Sequence, residues 1–119
     1  MRLPLCCILE TEQDGTPRKT EENKPLYLQN DAFILMSLLR FVNDELFADD
    51  MPLAIGLHDK LLEVWKNEGN EVEITDSEAL FLRVLLREPR KNLRPSAPWF
   101  MDMYYTQRTI YTVLKVLTS

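Results

Sequence analysis

The sequence predicts an α+β domain, mainly α, in which about four helices cover a small antiparallel sheet of two to three short strands. Three observations point there. Beyond residue 30 the apolar residues recur mostly at helical spacing, the extended apolar runs are short and precede helix-start signals, and one nine-residue pattern occurs twice. Residues 32–40 (AFILMSLLR) and 79–87 (ALFLRVLLR) share A-x-x-L-x-x-L-L-R. Each copy follows an extended segment and a polar cap, and each is followed by a proline-bearing connector. A duplicated β-α-α unit with halves at 24–70 and 71–119 produces such a pattern, and so do two core helices that converge on leucine.

In chain order, residues 3–10 alternate loosely, with Leu3, Leu5, Cys7 and Leu9 on one side, and read as a strand with two dry faces. Pro4 places it at an edge or a strand start. Residues 11–23 are polar, with Asp14-Gly15 as a turn, and form a hairpin loop. Residues 24–29 return through Leu26, Tyr27 and Leu28 as a second strand, antiparallel to the first. Asn30 or Asp31 caps a mostly buried helix over 31–47. A second helix covers 52–67, with Gly56 as a point of restart and Leu57, Leu61, Val64 and Trp65 on one face. Residues 71–75 form a short strand, with Val72 and Ile74 together. Asp76 or Ser77 caps the third helix, which places Glu78 in a first turn where the helix dipole favours negative charge. The strands ahead of the two repeat helices are expected to pair with each other. Residues 88–97 make a basic connector punctuated by proline, and 98–117 form a last helix broken at Tyr105-Thr106.

At 119 residues, 45% hydrophobic and 28% charged, the composition is that of one globular domain spanning 1–119. The net charge of −5 is unevenly distributed: residues 42–79 hold eleven acids against two lysines, and residues 80–119 hold seven basic residues against two acids. Two surfaces with different partners give this segregation, as does one pair of internally complementary faces. The acidic stretch reads either as a solvated face or as a mimic of nucleic-acid phosphates. The adjacent Cys6 and Cys7 have neither disulfide-framework nor zinc spacing and read as reduced thiols of a cytoplasmic protein. Residues 1–9 are too short and too soon acidic for a secretory signal. No apolar run approaches the ~18 residues of a membrane span, so no membrane partner is expected.

The residue inventory offers little for catalysis. His58 is the only histidine, and its neighbour Asp59 sits about 100° away on a helix, which does not poise the two as base and orienter. No serine occupies a G-x-S-x-G elbow, and Gly15, Gly56 and Gly69 are too scattered for a phosphate loop. Asp44, Glu45, Asp49 and Asp50 lack the ligand order of a calcium loop and read as a solvated helix end. The expectation is a protein that is not an enzyme and uses no cofactor or metal.

The expected function is a protein–protein interaction module: an adaptor, inhibitor or assembly factor that binds another protein or a second copy of itself. The candidate interface is the arginine stripe Arg83, Arg87 and Arg90 with the aromatic residues Trp99, Tyr105 and Tyr111, residue types favoured at interfaces. The alternative is DNA binding. The order T-x-x-E-x-x-x-L-x-x-L-L from Thr75, followed by the run 106–117, resembles the helix-turn-helix core of winged-helix regulators. That resemblance implies that Thr106 caps a recognition helix, that Ile110, Leu114 and Leu117 face the core, and that Gln107, Arg108, Thr109, Thr112 and Lys115 face the major groove. The segment departs from the pattern at Pro98, Trp99 and Phe100, where the positioning helix has small or polar residues.

Overall fold

A computed structural model describes residues 1–95 and 103–119. Within them the architecture is α+β and mainly α. Strands β1 (Arg2–Pro4), β2 (Cys7–Leu9) and β3 (Tyr27–Asn30) lead into helix α1 (Asp31–Leu39). Helix α2 (Met51–Lys66), strand β4 (Glu71–Glu73), helix α3 (Asp76–Arg87), the single turn α4 (Pro89–Asn92) and helix α5 (Tyr104–Thr118) follow. One apolar cluster joins them, with Leu3, Leu35, Leu38, Leu57, Leu61, Ile74, Leu82, Leu85 and Leu86 almost completely buried. The repeated leucines occupy equivalent places: Leu35, Leu38 and Leu39 of α1, and Leu82, Leu85 and Leu86 of α3, are all core residues.

The expected first strand is two strands that serve different sheets. β1 pairs antiparallel with β4, Leu3 opposite Val72, and β2 pairs antiparallel with β3, Ile8 opposite Gln29. The chain crosses between them at Leu5 and Cys6: the Leu5 amide donates to the Asn70 carbonyl at 2.8 Å, and the Cys6 amide donates to Asp31 Oδ2 at 2.8 Å. The strands ahead of the two repeat helices therefore do not pair with each other, because the N-terminal segment supplies a partner for each. The loop 11–23 contains the expected turn. Gly15 adopts φ +89, and Asp14 Oδ1 accepts from the Thr16 amide and hydroxyl, a short-range bond that suits aspartate ahead of a left-handed glycine.

Helix α1 is shorter than its apolar pattern suggests. It ends at Leu39 because the next segment has better partners elsewhere: Val42 bridges Leu93 antiparallel, the Asn43 amide donates to Asn92 O at 3.0 Å, and the Arg94 amide donates to Phe41 O at 2.7 Å. The Asn43 side chain accepts from the Glu45 amide at 3.0 Å, a local bond that competes with helix continuation. Tertiary pairing thus overrides propensity. Helix α2 runs through Gly56 without a restart. After it, the left-handed residue is Glu68, at φ 53, rather than Gly69.

The cap of α3 is Thr75, one residue earlier than Asp76 or Ser77. Its hydroxyl accepts from the Glu78 amide at 3.1 Å while Glu78 Oε1 accepts from the Thr75 amide at 2.9 Å, a reciprocal capping box. Glu78 is buried, and its Oε1 also accepts from Lys60 Nζ of α2 at 2.6 Å. Burial pushes this carboxyl up, but the Lys60 bond and the Thr75 amide outweigh it and hold Glu78 below the usual glutamate range. The depressed folded-state value means that the stabilisation is present above the ordinary glutamate pKa of about 4.3 and is lost as pH falls through the folded value. Glu78→Ala should destabilise the fold by about 1–2 kcal/mol at neutral pH. In urea titrations the gap between wild type and Glu78→Gln should shrink steadily below about pH 4; a gap constant from pH 7 to 3 would show that the carboxylate charge is not what Lys60 holds.

Candidate functional site

The site is built on a buried polar knot where β3 becomes α1. Gln29, Asn30 and Asp31 are consecutive and all buried. Asp31 and Cys6 exchange bonds: the Asp31 amide donates to Cys6 O at 2.9 Å, and the Cys6 amide donates to Asp31 Oδ2. Asp31 Oδ1 accepts from the Thr109 hydroxyl of α5 at 2.7 Å and from Gln29 Nε2 at 3.0 Å. Gln29 Nε2 also reaches Thr109 Oγ1 at 2.6 Å and the Tyr105 carbonyl at 3.2 Å. Three acceptors crowd around two amide hydrogens, which fixes the orientation of the Gln29 amide. Asn30 Oδ1 accepts from the Phe33 amide at 3.1 Å and caps α1, so of the two caps the sequence offers, Asn30 and Asp31, the first is used. Two buried atoms have no partner among the described residues: Gln29 Oε1, an acceptor, and Asn30 Nδ2, a donor. Burial, reinforced by Asp31, pushes the Cys6 thiol up, and burial also raises Cys7, which keeps both protonated and unreactive at neutral pH.

Above this knot lies an apolar groove of about 740 Å³. Residues 26–30 form one wall, Phe33, Ile34 and Ser37 of α1 the floor, Trp65 at the end of α2 one flank, and Met103, Tyr105 and Thr106 at the start of α5 the other. Leu26, Leu28, Phe33, Met103 and Tyr105 are each exposed by more than a third although large and apolar. Phe33 and Trp65 meet in a tilted contact with ring centroids 5.7 Å apart. At the mouth, the Tyr27 hydroxyl donates to Glu68 Oε1 at 3.3 Å, and Lys24 and Lys66 complete the rim. A concave, mostly apolar surface with a few convergent polar groups is the usual form of a binding site.

The sequence-predicted residues fall in different places. Tyr105 lines the groove. Tyr111 is 67% exposed and sits on the outer face of α5 with Tyr104, Gln107 and Lys115, about a third of a turn from Tyr105 by helical spacing. Arg83 is half-buried and Arg87 exposed on the face of α3 opposite its buried leucines, and neither makes an ion pair among the described residues; Arg90 is exposed on α4. Trp99 lies outside the described residues. For the helix-turn-helix alternative, Gln107, Arg108, Thr112 and Lys115 are all exposed on α5, and Ile110 faces the core. Two implied roles are corrected. Thr106 does not cap the helix, which starts at Tyr104 and runs unbroken through Tyr105-Thr106, and Thr109 does not face outward but is fully buried against Asp31.

Elsewhere, His58 Nε2 accepts from Arg40 Nε at 3.0 Å, and His58 Nδ1 lies 3.3 Å from Asp59 Oδ1, so the neighbours do meet despite their helical offset. Asp44 pairs with Arg94 at 3.0 Å, one link between the acidic and basic thirds. The groove residues Leu26, Leu28, Phe33 and Trp65 escape sequence reasoning because each fits a core pattern. The available signal was surplus: the run Leu26-Tyr27-Leu28 offers apolar side chains to both faces of a strand that follows a wholly polar loop. Comparison with protein-family models, curated proteins and solved structures gives no match, so function is read from geometry alone. Thr109→Val removes a hydroxyl while keeping volume, and leaves Asp31 short of a donor. It should cost about 1–3 kcal/mol in chemical denaturation, and Asp31→Ala, which leaves both the Cys6 amide and the Thr109 hydroxyl without their acceptor, should cost more. A loss below about 0.5 kcal/mol for both would mean that α5 is not held through this knot.

Proposed function

We propose that the protein is a non-catalytic interaction module, an adaptor, inhibitor or assembly factor, which binds another protein through the groove between β3, α1 and the start of α5. The observation that carries this reading is the continuous exposed apolar lining, with Phe33, Trp65 and Tyr105 as aromatic anchors around a recess. Aromatic anchors in a desolvating recess dominate the energetics of protein interfaces. The charged groups at the groove are at its rim, where they steer and select a partner rather than supply acid–base chemistry. None of the helices among the described residues is long and apolar enough to cross a membrane, and the free, half-buried Cys6 and Cys7 suit a reducing compartment such as the cytoplasm.

A second reading, DNA binding, draws support from the outer face of α5, where Gln107, Arg108, Thr112 and Lys115 stand exposed together. It is the weaker one because Thr109, one of the residues implied to face the groove of the DNA, is committed to the interior.

Partner capture by the wild-type chain, Phe33→Asp, Leu28→Asp and the Arg108→Ala, Lys115→Ala double variant separates these readings, since every substituted side chain is exposed and the fold should survive. Loss of a single hot-spot contact costs at least ~2 kcal/mol, about thirtyfold in affinity. The two groove variants should lose the partner on that scale while the double variant retains it. Undiminished capture by both groove variants would remove the groove from the account, and steeply salt-dependent binding to random duplex DNA, abolished by the double variant, would establish the alternative.

A further inference from the structure

We infer that the groove takes an extended peptide, apolar at alternate positions and flanked by an acidic residue, which adds as a strand to the open edge of β3. This rests on the groove being the interaction surface and specifies its occupant.

Ile8 lies opposite Gln29 and Leu9 opposite Tyr27, with Leu28 the extra residue of a bulge. Ile8 and Leu9 are neighbours and point to opposite faces, so Gln29 and Tyr27 do as well. The contacts agree: Gln29 bonds to Tyr105 and Thr109 of α5, and Tyr27 bonds to Glu68 just beyond α2. β3 is thus held between the start of α5 on one face and the end of α2 on the other. The groove is lined from both of these elements and from every residue of 26–30. A single recess can touch both faces of a strand only by passing around an edge, and β2 occupies one edge. The groove therefore opens on the other. In an antiparallel ladder alternate residues turn their N–H and C=O groups outward, and β3 has one strand neighbour among the described residues, so about half of its backbone groups lack a ladder partner there.

Three further observations select a peptide over another occupant. The lining is apolar on both sides of that edge, as an added strand requires, since its successive side chains point to opposite faces. Gln29 Oε1 and Asn30 Nδ2, on two of the residues that line the groove, have no partner among the described residues, and buried polar atoms left unmet are uncommon enough to need an explanation. The rim carries Lys24 and Lys66, and its one carboxylate, Glu68, is engaged by Tyr27. Lys66 has no ion pair among the described residues, and Lys24 has only exposed Glu22 at 3.5 Å. In a chain of net charge −5, a lining that holds two lysines against one glutamate favours an acidic flank on the incoming segment.

Selection of a displayed library of random eight-residue peptides on the wild-type chain tests this, with Leu28→Asp as the counter-selection and circular dichroism to show that the variant is folded. Enriched peptides should alternate apolar and other residues beside an Asp or Glu. Synthetic copies of the tightest binder, N-methylated one amide at a time, should lose about tenfold or more at every second position and little between, a period only strand pairing produces, and Lys66→Glu should weaken binding several-fold. Equal sensitivity at all positions, or at none, would overturn strand addition while leaving the groove as the interaction surface. Absence of any enrichment over the counter-selection would overturn it too. So would a sedimenting dimer dispersed by Phe33→Asp, which would assign the groove to a second copy. The functional reading itself falls only to partner capture that survives the groove variants.

Discussion

The buried carboxylate of Asp31 is the constraint on which the rest of this structure depends. A carboxyl group removed from water is tolerated only when its oxygens are met by donors, and those donors are the neighbouring Gln29 side chain and two groups from distant stretches of chain, the Cys6 amide and the Thr109 hydroxyl. Satisfying one residue therefore fixes β2, β3, α1 and α5 relative to each other. The groove is a by-product of that arrangement. The bonds from Gln29 to Tyr105 and Thr109 draw the first turns of α5 against one face of β3, and the opposite face meets the residues that follow α2.

A second economy lies in the N-terminal segment, which divides itself between two sheets. Either two-stranded sheet alone would be marginal in water. Each is stabilised because its inner residues, Leu3 and Val72 in one and Gln29 and Asn30 in the other, are covered by helices. The uneven charge along the sequence turns out to include internal complementarity, with Lys60 bonded to Glu78 between α2 and α3 and Arg94 to Asp44 across the link between the α1 and α3 ends. Lys60–Glu78 is the stronger of the two by its burial, because the exposed Arg94–Asp44 pair is screened by water.

Much of the fold is legible in the sequence because local signals and burial agree. The leucines of the repeated nonapeptide mark the core face of α1 and α3, Asp14-Gly15 marks the turn, and Asn30 marks the start of α1. Where the reading fails, non-local pairing wins. Nothing in the helical pattern of Val42 or Asn43 announces that they will align with Leu93 and Asn92, and nothing in residues 3–10 announces a handover between sheets at Cys6. The candidate site is the least legible part. Thr109 looks like an outward polar residue of an amphipathic helix and is instead a buried donor, since its partner, Asp31, is 78 positions away. Leu28 and Phe33 look like core residues and are half-exposed, because the groove spends apolar side chains where a core pattern expects none to be seen.

That separation along the chain also orders events in time. Gln29 and Asp31 are synthesised long before Thr109, and contacts that close loops of this length form late, because the entropy of closure must be overcome before they contribute. The α1–α2 pair and the β2–β3 hairpin can assemble from neighbouring residues while the knot is still incomplete. Without α5 the recess at β3 lacks the flank formed by Met103, Tyr105 and Thr106. The groove is therefore a property of the assembled fold: its second flank exists only once α5 has docked.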